Sequence, residues 1–568
     1  MKRRDFIKKV PVMGAIPFVI NHIPFGVMAG NDALKKMAAA CPNDRVLVIL
    51  QLLGGNDGIN TVIPFNQYDQ YQFVRPNIAI PDSGSRGLIK LDGTLPSDKQ
   101  VGLHPDMKAM KQLYDAGNLA IVQGISYQNH NQSHFRGRDI MFMGGGSNDY
   151  LDSGWIGRYL QDKYAPQIYP TDFPNPDMQD PLALEFGNEI SLVFHQGQNI
   201  PASVSINDPQ SFFNLVEQLP GFEDIQGLDP RGIPPTVLNN SAYGKEVNWI
   251  LDLEEKTDDY HDRIVQTYNA GKAYDPGINY PTTYPLQAPV KFHENPLSPQ
   301  LQIIANLING GSKTKVFLIR LGGFDTHAQQ VEATDHTMGP HAALLFHISE
   351  AMKAFQADLK ARGLENRVLS VTTSEFGRRV ESNGSFGTDH GIGAPLFIFG
   401  AGVIPGITGN PPDMTQDNVS MQYDYRQIYA TIMKEWMCVD PALVDSLSGI
   451  FYGDYQGRGT TLPIINGNLV TGVTDFVNSR FKLNSCYPNP ASAYSTFSFY
   501  INAETSVDLK IVDVNGNDVK KIFSEQYMSM GEHKITVDLR DIKPGSYFYQ
   551  IKAAGGILND TKKLEIVR

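Results

Sequence analysis

Cysteine is nearly absent from this chain: Cys41, Cys438 and Cys486 are the three in 568 residues. So few exclude a disulfide-built scaffold, and their spacing makes no zinc motif. Basic residues are in deficit, with 48 Lys and Arg against 60 Asp and Glu and a net charge of −12. That excludes the basic footprint of a general nucleic-acid binder. It does not exclude an anionic ligand, because a bound cation reverses the local field. Long clean apolar runs are missing too. The best candidate, Val10 to about Ala29, is broken by Asn21, His22 and three prolines. A membrane span needs about 20 predominantly apolar residues, so no stable span is expected.

What is present suits a folded soluble protein, with 41% hydrophobic and 19% charged residues. The length exceeds what one core supports, since single cores stop growing near ~250–300 residues. The chain opens Met1-Lys2-Arg3-Arg4-Asp5-Phe6-Ile7-Lys8. Paired arginines followed by a mildly apolar stretch read as an export signal over residues 1–30, twin-arginine or an ordinary signal with a chance Arg pair.

From Val46 the pattern alternates strand, loop and helix. Val46–Leu53, Leu119–Val122, Val316–Leu321, Val368–Thr372 and Leu396–Phe399 are continuous apolar runs. Unalternating runs suit strands of a parallel sheet buried on both faces. Leu345, Ile348, Met352, Phe355 and Leu359 recur at spacings of three and four, which is one apolar helix face. Met107, Met110 and Leu113 mark a second helix. A doubly wound α/β domain over 44–466, with helices on both faces, accommodates these elements. Residues 221–299, Pro- and Tyr-rich towards their end, read as an insertion. Over 481–568 short alternating runs take over, among them Val507/Leu509/Ile511 and Tyr547/Tyr549/Ile551. With turn pairs at Asn515-Gly516 and Pro544-Gly545 they read as an all-β sandwich.

In open α/β sheets ligands bind beyond the carboxyl ends of the strands. The segments just after the predicted strands are polar in an unusual way: Gly54-Gly55-Asn56-Asp57-Gly58, His130 to Arg136, Gly322-Gly323-Phe324-Asp325-Thr326-His327, Ser374-Glu375-Phe376-Gly377-Arg378 and Gly387-Thr388-Asp389-His390-Gly391. Carboxylates and imidazoles that recur strand after strand and converge on one edge suggest a metal site.

Two resemblances follow from these residues. Tyr487-Pro488-Asn489-Pro490, Val512 to Gly516, the Pro-Gly-x-Tyr turn at 544–547 and Lys563 to Val567 resemble the type A C-terminal sorting domain of type IX secretion, used by Bacteroidota. That implies a secreted or cell-surface protein whose tail engages the type IX secretion machinery. Gly-Gly-Asn-Asp-Gly, Phe-Asp-Thr-His, Ser-Glu-Phe-Gly-Arg and Gly-Thr-Asp-His-Gly resemble the domain-of-unknown-function 1501 family, which belongs with the alkaline phosphatase and sulfatase superfamily. The resemblance implies an alkaline-phosphatase-like fold and, as an expectation, metal-dependent hydrolysis of a small anionic phosphate or sulfate ester. Carried over by position, it makes Asp57, Asp325, His327, Glu375 and His390 candidate metal ligands. Ser133 becomes a candidate nucleophile at a helix start, with Arg136, Arg138 and Arg378 placed to clamp an anion. Ser133 also reads as a simple helix cap.

Two departures qualify that pattern. Asp325 and His327 stand two apart where the superfamily spaces such a pair by four. Phe376 stands where a second-site histidine is expected. One site of Asp325, His327 and His390 is therefore the more credible, with an oxygen-only set of Asp57, Ser133 and Glu375 as the second. The ion is divalent, with Zn, Mg, Ca and Mn all open. The alternative is a non-catalytic surface protein that binds glycans or proteins on a degenerate phosphatase-like fold.

Overall fold

A computed structural model describes residues 16–20, 23–27, 44–187, 189–206, 260–445, 451, 460–466, 481–483, 486–501, 505–513, 516–529, 531–553 and 558–567. The chain divides into Met1–Arg45 and Val46–Arg568. Of the first unit the structure describes an antiparallel pair, Ile16–Ile20 with Ile23–Val27. The signal segment expected over 1–30 otherwise lies outside the described residues, as does 221–259 of the expected insertion.

In the second unit a nine-stranded mixed sheet is built from β1 (Val46–Leu53), β2 (Leu119–Ser126), β3 (Ala183–Phe186), β4 (Ser203–Ile206), β5 (Val316–Gly322), β6 (Val368–Ser374), β7 (Ala394–Phe399), β8 (Gly406–Thr408) and β9 (Tyr423–Asp424). The spatial order is β4-β3-β5-β1-β6-β7-β2-β8, with β9 also on β2. Each central strand sends alternate residues to two cores. Leu47 and Ile49 of β1 face one side, while Val48, Leu50 and Leu52 face the other. This double burial is why the strands read as unbroken apolar runs.

Helices cover both faces. On one lie α1 (Lys108–Asp115), α4 (Leu297–Asn309) and α5 (Pro340–Ala361), the last burying Leu345, Ile348, Met352, Phe355 and Leu359 against the sheet. On the other lie α2 (His134–Met143), α3 (Trp155–Tyr164) and α6 (Tyr425–Thr431), where Trp155 stacks on Tyr429.

One expectation is corrected. The run Leu396–Phe399 lies in β7, which pairs antiparallel with both β6 and β2. Leu396 and Ile398 pack into one core and Phe397 and Phe399 into the other, so the run looks the same in either direction. The reversal has a consequence for the site. The connection from β6 to β7 folds back as a hairpin, with the Gly391 N–H donating to the Gly377 carbonyl (2.8 Å) and the Arg379 N–H to the Asp389 carbonyl (3.0 Å). His390 is thereby returned to the strand edge it left at Glu375.

The C-terminal region is an antiparallel sandwich. One sheet holds β10 (Phe481–Leu483), β11 (Tyr494–Ile501) and β14 (Gly531–Asp538). The other holds β12 (Thr505–Val512), β13 (Asp518–Met528), β15 (Gly545–Ala553) and β16 (Leu558–Ile566), in the order β13-β12-β15-β16. Phe497, Phe499, Leu509, Ile511, Tyr549 and Leu564 are among the residues filling the space between them. Among the described residues no helix is long and apolar enough to cross a membrane.

Candidate functional site

The carboxyl ends of β1, β5 and β6 meet under the N-terminus of α2. Two glycines allow it. Gly54 and Gly55 adopt φ of +118° and +76°, a region side chains disfavour. A Cβ on Gly54 would sit 2.2 Å from the Asp325 backbone nitrogen, and one on Gly55 would sit 2.5 Å from the Phe376 ring.

At this meeting point three imidazoles converge on one carboxylate. The His134 Nε2 lies 3.6 Å from Asp325 Oδ2, the His390 Nε2 lies 3.6 Å from Asp325 Oδ1, and the His327 Nε2 lies 3.3 Å from Asp325 Oδ1. One ligand atom from each of His134, Asp325 and His390 falls within 4.8 Å of the others, so together they could hold a metal ion.

The opposite edge of each ring is braced. His134 Nδ1 lies 2.8 Å from Glu375 Oε1, His390 Nδ1 lies 2.9 Å from the Gln132 carbonyl, and His327 Nδ1 lies 3.2 Å from Asp389 Oδ1. Carboxylates and carbonyls only accept, so each Nδ1 donates and each Nε2 is the ring atom left facing Asp325. The Nε2 atoms of His134 and His390 are buried with no hydrogen-bond partner. Imidazoles whose far nitrogen donates to a carboxylate or carbonyl are the usual arrangement around a metal. Burial also pushes the His390 imidazole below its usual range, keeping it in the neutral form that ligation needs. Burial raises Asp325, but its hydrogen bond to Arg378 and the nearby His134 and His327 outweigh this, and its carboxyl is held below the usual range. The Phe376 ring walls the cluster, 4.7 Å from the His134 ring and 4.6 Å from that of His390.

The residues expected from the sequence therefore divide. Asp325, His327 and His390 come together. Glu375 is adjacent but braces: its Oε1 accepts from His134 and from the Gly54 N–H (2.8 Å). Asp57 is fully buried and faces away, paired with the equally buried Arg75 at 2.7 Å. Its carboxylate also accepts from Gln330 (2.7 Å) and caps the short turn Gly58–Thr61. Burial would raise the Asp57 pKa; Arg75 and His341 outweigh it and hold the carboxyl below its usual range.

Arg378 is buried and hydrogen-bonds to Asp325 Oδ1 (2.8 Å) and to the carbonyls of Gly54, Gly55, Phe324 and Thr388. It fastens the strand ends to one another. Arg136 is likewise committed, to the carbonyls of Ser147 and Asp149, with its guanidinium 3.9 Å above the Tyr150 ring. Ser133 caps α2, its Oγ accepting from the Arg136 N–H at 3.4 Å. His134 and the braces Gln132 and Asp389 were not singled out in the sequence. The signal was an imidazole at the first position of a helix, where the dipole offers no reason for a cation and a neutral ligand is free of that penalty.

Comparisons with known proteins fall in line with the motifs. Residues 301–460 match the family described as "Protein of unknown function (DUF1501)", and residues 485–567 match the "Secretion system C-terminal sorting domain". Both resemblances read from the sequence are met on these segments. The first takes in Asp325, His327, Glu375 and His390 but starts beyond Asp57 and His134. The sorting domain makes this a secreted or cell-surface protein and implies contact with the secretion machinery. No curated protein matches the chain.

Similar solved structures include a protein in the alkaline phosphatase superfamily from Vibrio parahaemolyticus, with 10% identity, TM-score 0.31, 88% of this chain and 80% of that one covered. A sulfatase from Pseudoalteromonas sp. has 10% identity, TM-score 0.31 and coverage of 89% and 86%. A phosphonate monoester hydrolase from Silicibacter pomeroyi has 11% identity, TM-score 0.27 and coverage of 92% and 89%. At these identities the chemistry has to be argued from this chain's own side chains.

Proposed function

We propose that this secreted or surface protein is a hydrolase of phosphate or sulfate monoesters working with one divalent ion held by His134, His327, His390 and Asp325. The observation that carries the reading is the group of His134, His390 and Asp325, whose ligand atoms lie within 4.8 Å of one another with both Nε2 atoms buried and without a hydrogen-bond partner, and with His327 Nε2 3.3 Å from the same carboxylate. Three nitrogens and one oxygen suit zinc or another imidazole-preferring first-row ion better than magnesium or calcium, which take oxygen ligands. When bound, such an ion supplies Lewis-acid polarisation and a nucleophile of lowered pKa.

The protein's own residues do the rest. Glu375, Asp389 and the Gln132 carbonyl fix the ring orientations. Phe376 excludes water from one side. Ser133 immediately precedes His134 and accepts a backbone hydrogen bond, which leaves its own O–H free to be given up; it is the candidate nucleophile. The test is to purify the full chain, measure its metal, and follow nitrophenol release from nitrophenyl phosphate and nitrophenyl sulfate. Turnover that disappears with His390→Ala and falls strongly with Ser133→Ala supports the reading. Bound metal without any turnover on either ester would favour the second reading, a binding protein on the same scaffold. That reading draws on the commitment of Arg136 and Arg378 to backbone carbonyls.

A further inference from the structure

The Pro- and Tyr-rich stretch that precedes α4 supplies nothing to the metal centre, yet it is firmly held. The Tyr284 hydroxyl donates to Asp106 (2.9 Å), and its N–H donates to the His293 carbonyl (2.7 Å). The Asn295 N–H donates to the Thr282 carbonyl (2.8 Å), and its side-chain amide donates to the His347 carbonyl on α5 (3.3 Å). These bonds brace the turn Val290–Phe292 against α5 and the end of β5. Gly323 permits the close approach: at its φ of +108°, a Cβ would sit 2.7 Å from the Phe292 ring.

A cavity of about 260 Å³ lies where these elements meet. Buried Leu321, Leu344 and His347 line it with half-buried Phe292, and exposed Lys291 and Glu294 stand where it opens to solvent. An apolar cavity of about 150 Å³ already holds benzene, so this one has room for a single substituted ring. One polar atom in its lining is unmatched. The His347 Nε2 lies 2.9 Å from the Phe292 carbonyl, which only accepts, so Nε2 donates. Burial pushes the imidazole below its usual range, which keeps it neutral at pH 7 and makes Nδ1 an acceptor. That Nδ1 is buried and has no hydrogen-bond partner among the described residues. An unmatched buried acceptor is unfavourable, and a ligand that donates to it relieves the deficit.

We infer that this cavity is a binding site for one neutral aromatic ring bearing a hydroxyl, a phenol-class group whose O–H donates to His347 Nδ1 while the ring lies against Phe292 and Leu344. Ring against ring is a favoured contact for Phe292. An anion is disfavoured, because the apolar lining would strip its water and Glu294 offsets Lys291 at the opening. Gly323 stands two residues before Asp325, so their Cα atoms are within about 7 Å of each other. The site therefore adjoins the loop that carries Asp325, but no residue lining it is among the proposed metal ligands. It goes beyond the hydrolase reading and does not depend on it.

The experiment titrates the full chain with 4-methylphenol and with toluene, which has the same ring and no donor, and follows binding by NMR. Each titration is run on metal-loaded protein and again with a chelator present. The variants are His347→Phe and Leu344→Trp, with melting temperature as the check on folding. A ring of this size at ordinary ligand efficiency binds with a Kd of about 1 mM or tighter. The expected result is one equivalent of 4-methylphenol, bound about tenfold more tightly than toluene and equally well with and without the chelator. His347→Phe removes the preference for the phenol, and Leu344→Trp, which fills the cavity, removes binding of both. Equal affinity of the wild type for the two ligands overturns the inference, and that comparison needs no variant. Absence of binding, or binding that the chelator abolishes and so belongs to the metal, overturns it too. None of these outcomes turns on whether the protein hydrolyses an ester.

Discussion

Replacing Asp57 with Asn or Ala separates a buried structural anchor from a metal ligand. Asp57 and Arg75 are both fully buried, with Arg75 Nη1 2.7 and 3.0 Å from the two carboxylate oxygens. Gln330 donates to the same carboxylate while its own oxygen accepts from Thr326 and Thr388. Asp57 thus ties the end of β1 to the loops that carry His327 and His390. Removing one partner of a buried pair costs about 3–5 kcal/mol. Arg75 keeps its bonds to the carbonyls of Val380 and Arg379, which puts Asp57→Ala at the lower end, about 3 kcal/mol.

With a urea m-value of about 1–3 kcal/mol/M, that moves the unfolding midpoint down by about 1 M or more. The pH dependence has a definite sign. The folded-state pKa of Asp57 is depressed, so its contribution is fully present above the unfolded value, about 3.9, and is lost as pH falls through the folded value. The stability gap between wild type and Asp57→Asn should be full at pH 7 and narrow below about pH 4. Near-UV circular dichroism during urea unfolding, at several pH values, measures it, and metal analysis of the folded variant completes the assay. A variant that loses its metal while its midpoint moves by less than about 0.2 M would refute the reasoning, because it would make Asp57 a ligand.

Glu375→Ala should weaken metal binding roughly 10–100-fold, the usual effect of removing a carboxylate that orients a ligating imidazole; competition with a chromophoric chelator reads it. Glu375→Gln, which keeps an oxygen for His134 and Gly54, should lose less. Gly54→Ala forces a Cβ to within 2.2 Å of the Asp325 nitrogen at a φ of +118°. It should cost about 1–3 kcal/mol and lower metal occupancy, visible as a paired drop in melting temperature and bound ion.

Much of the fold was legible because burial on two faces leaves an unmistakable mark. Val46–Leu53 and Val316–Leu321 could hardly be anything but central strands. The four-residue strands β3 and β4 carry too little pattern to be found, and the direction of β7 leaves no trace in a run buried on both sides. In the site, Asp325 and His327 were legible from their place just past a strand end, and His390 from the Gly-Thr-Asp-His-Gly motif that precedes β7. Asp57 shares that place, yet its carboxylate turns inward to Arg75, a partner 18 residues away that no local motif announces. His134 was overshadowed by Ser133 because a serine before a helix has two familiar roles and a histidine after it has none. The fates of Arg378 and Arg136 depend on which backbone carbonyls surround them, a tertiary fact that sequence spacing does not carry.

The central claim is that His134, His327, His390 and Asp325 hold one metal ion. Elemental analysis of the purified full chain after dialysis against trace zinc or manganese tests it most directly. The structure predicts one equivalent per chain, lost in His134→Ala and in His390→Ala and retained in Asp57→Asn. Two equivalents, none, or one that survives His390→Ala would contradict it.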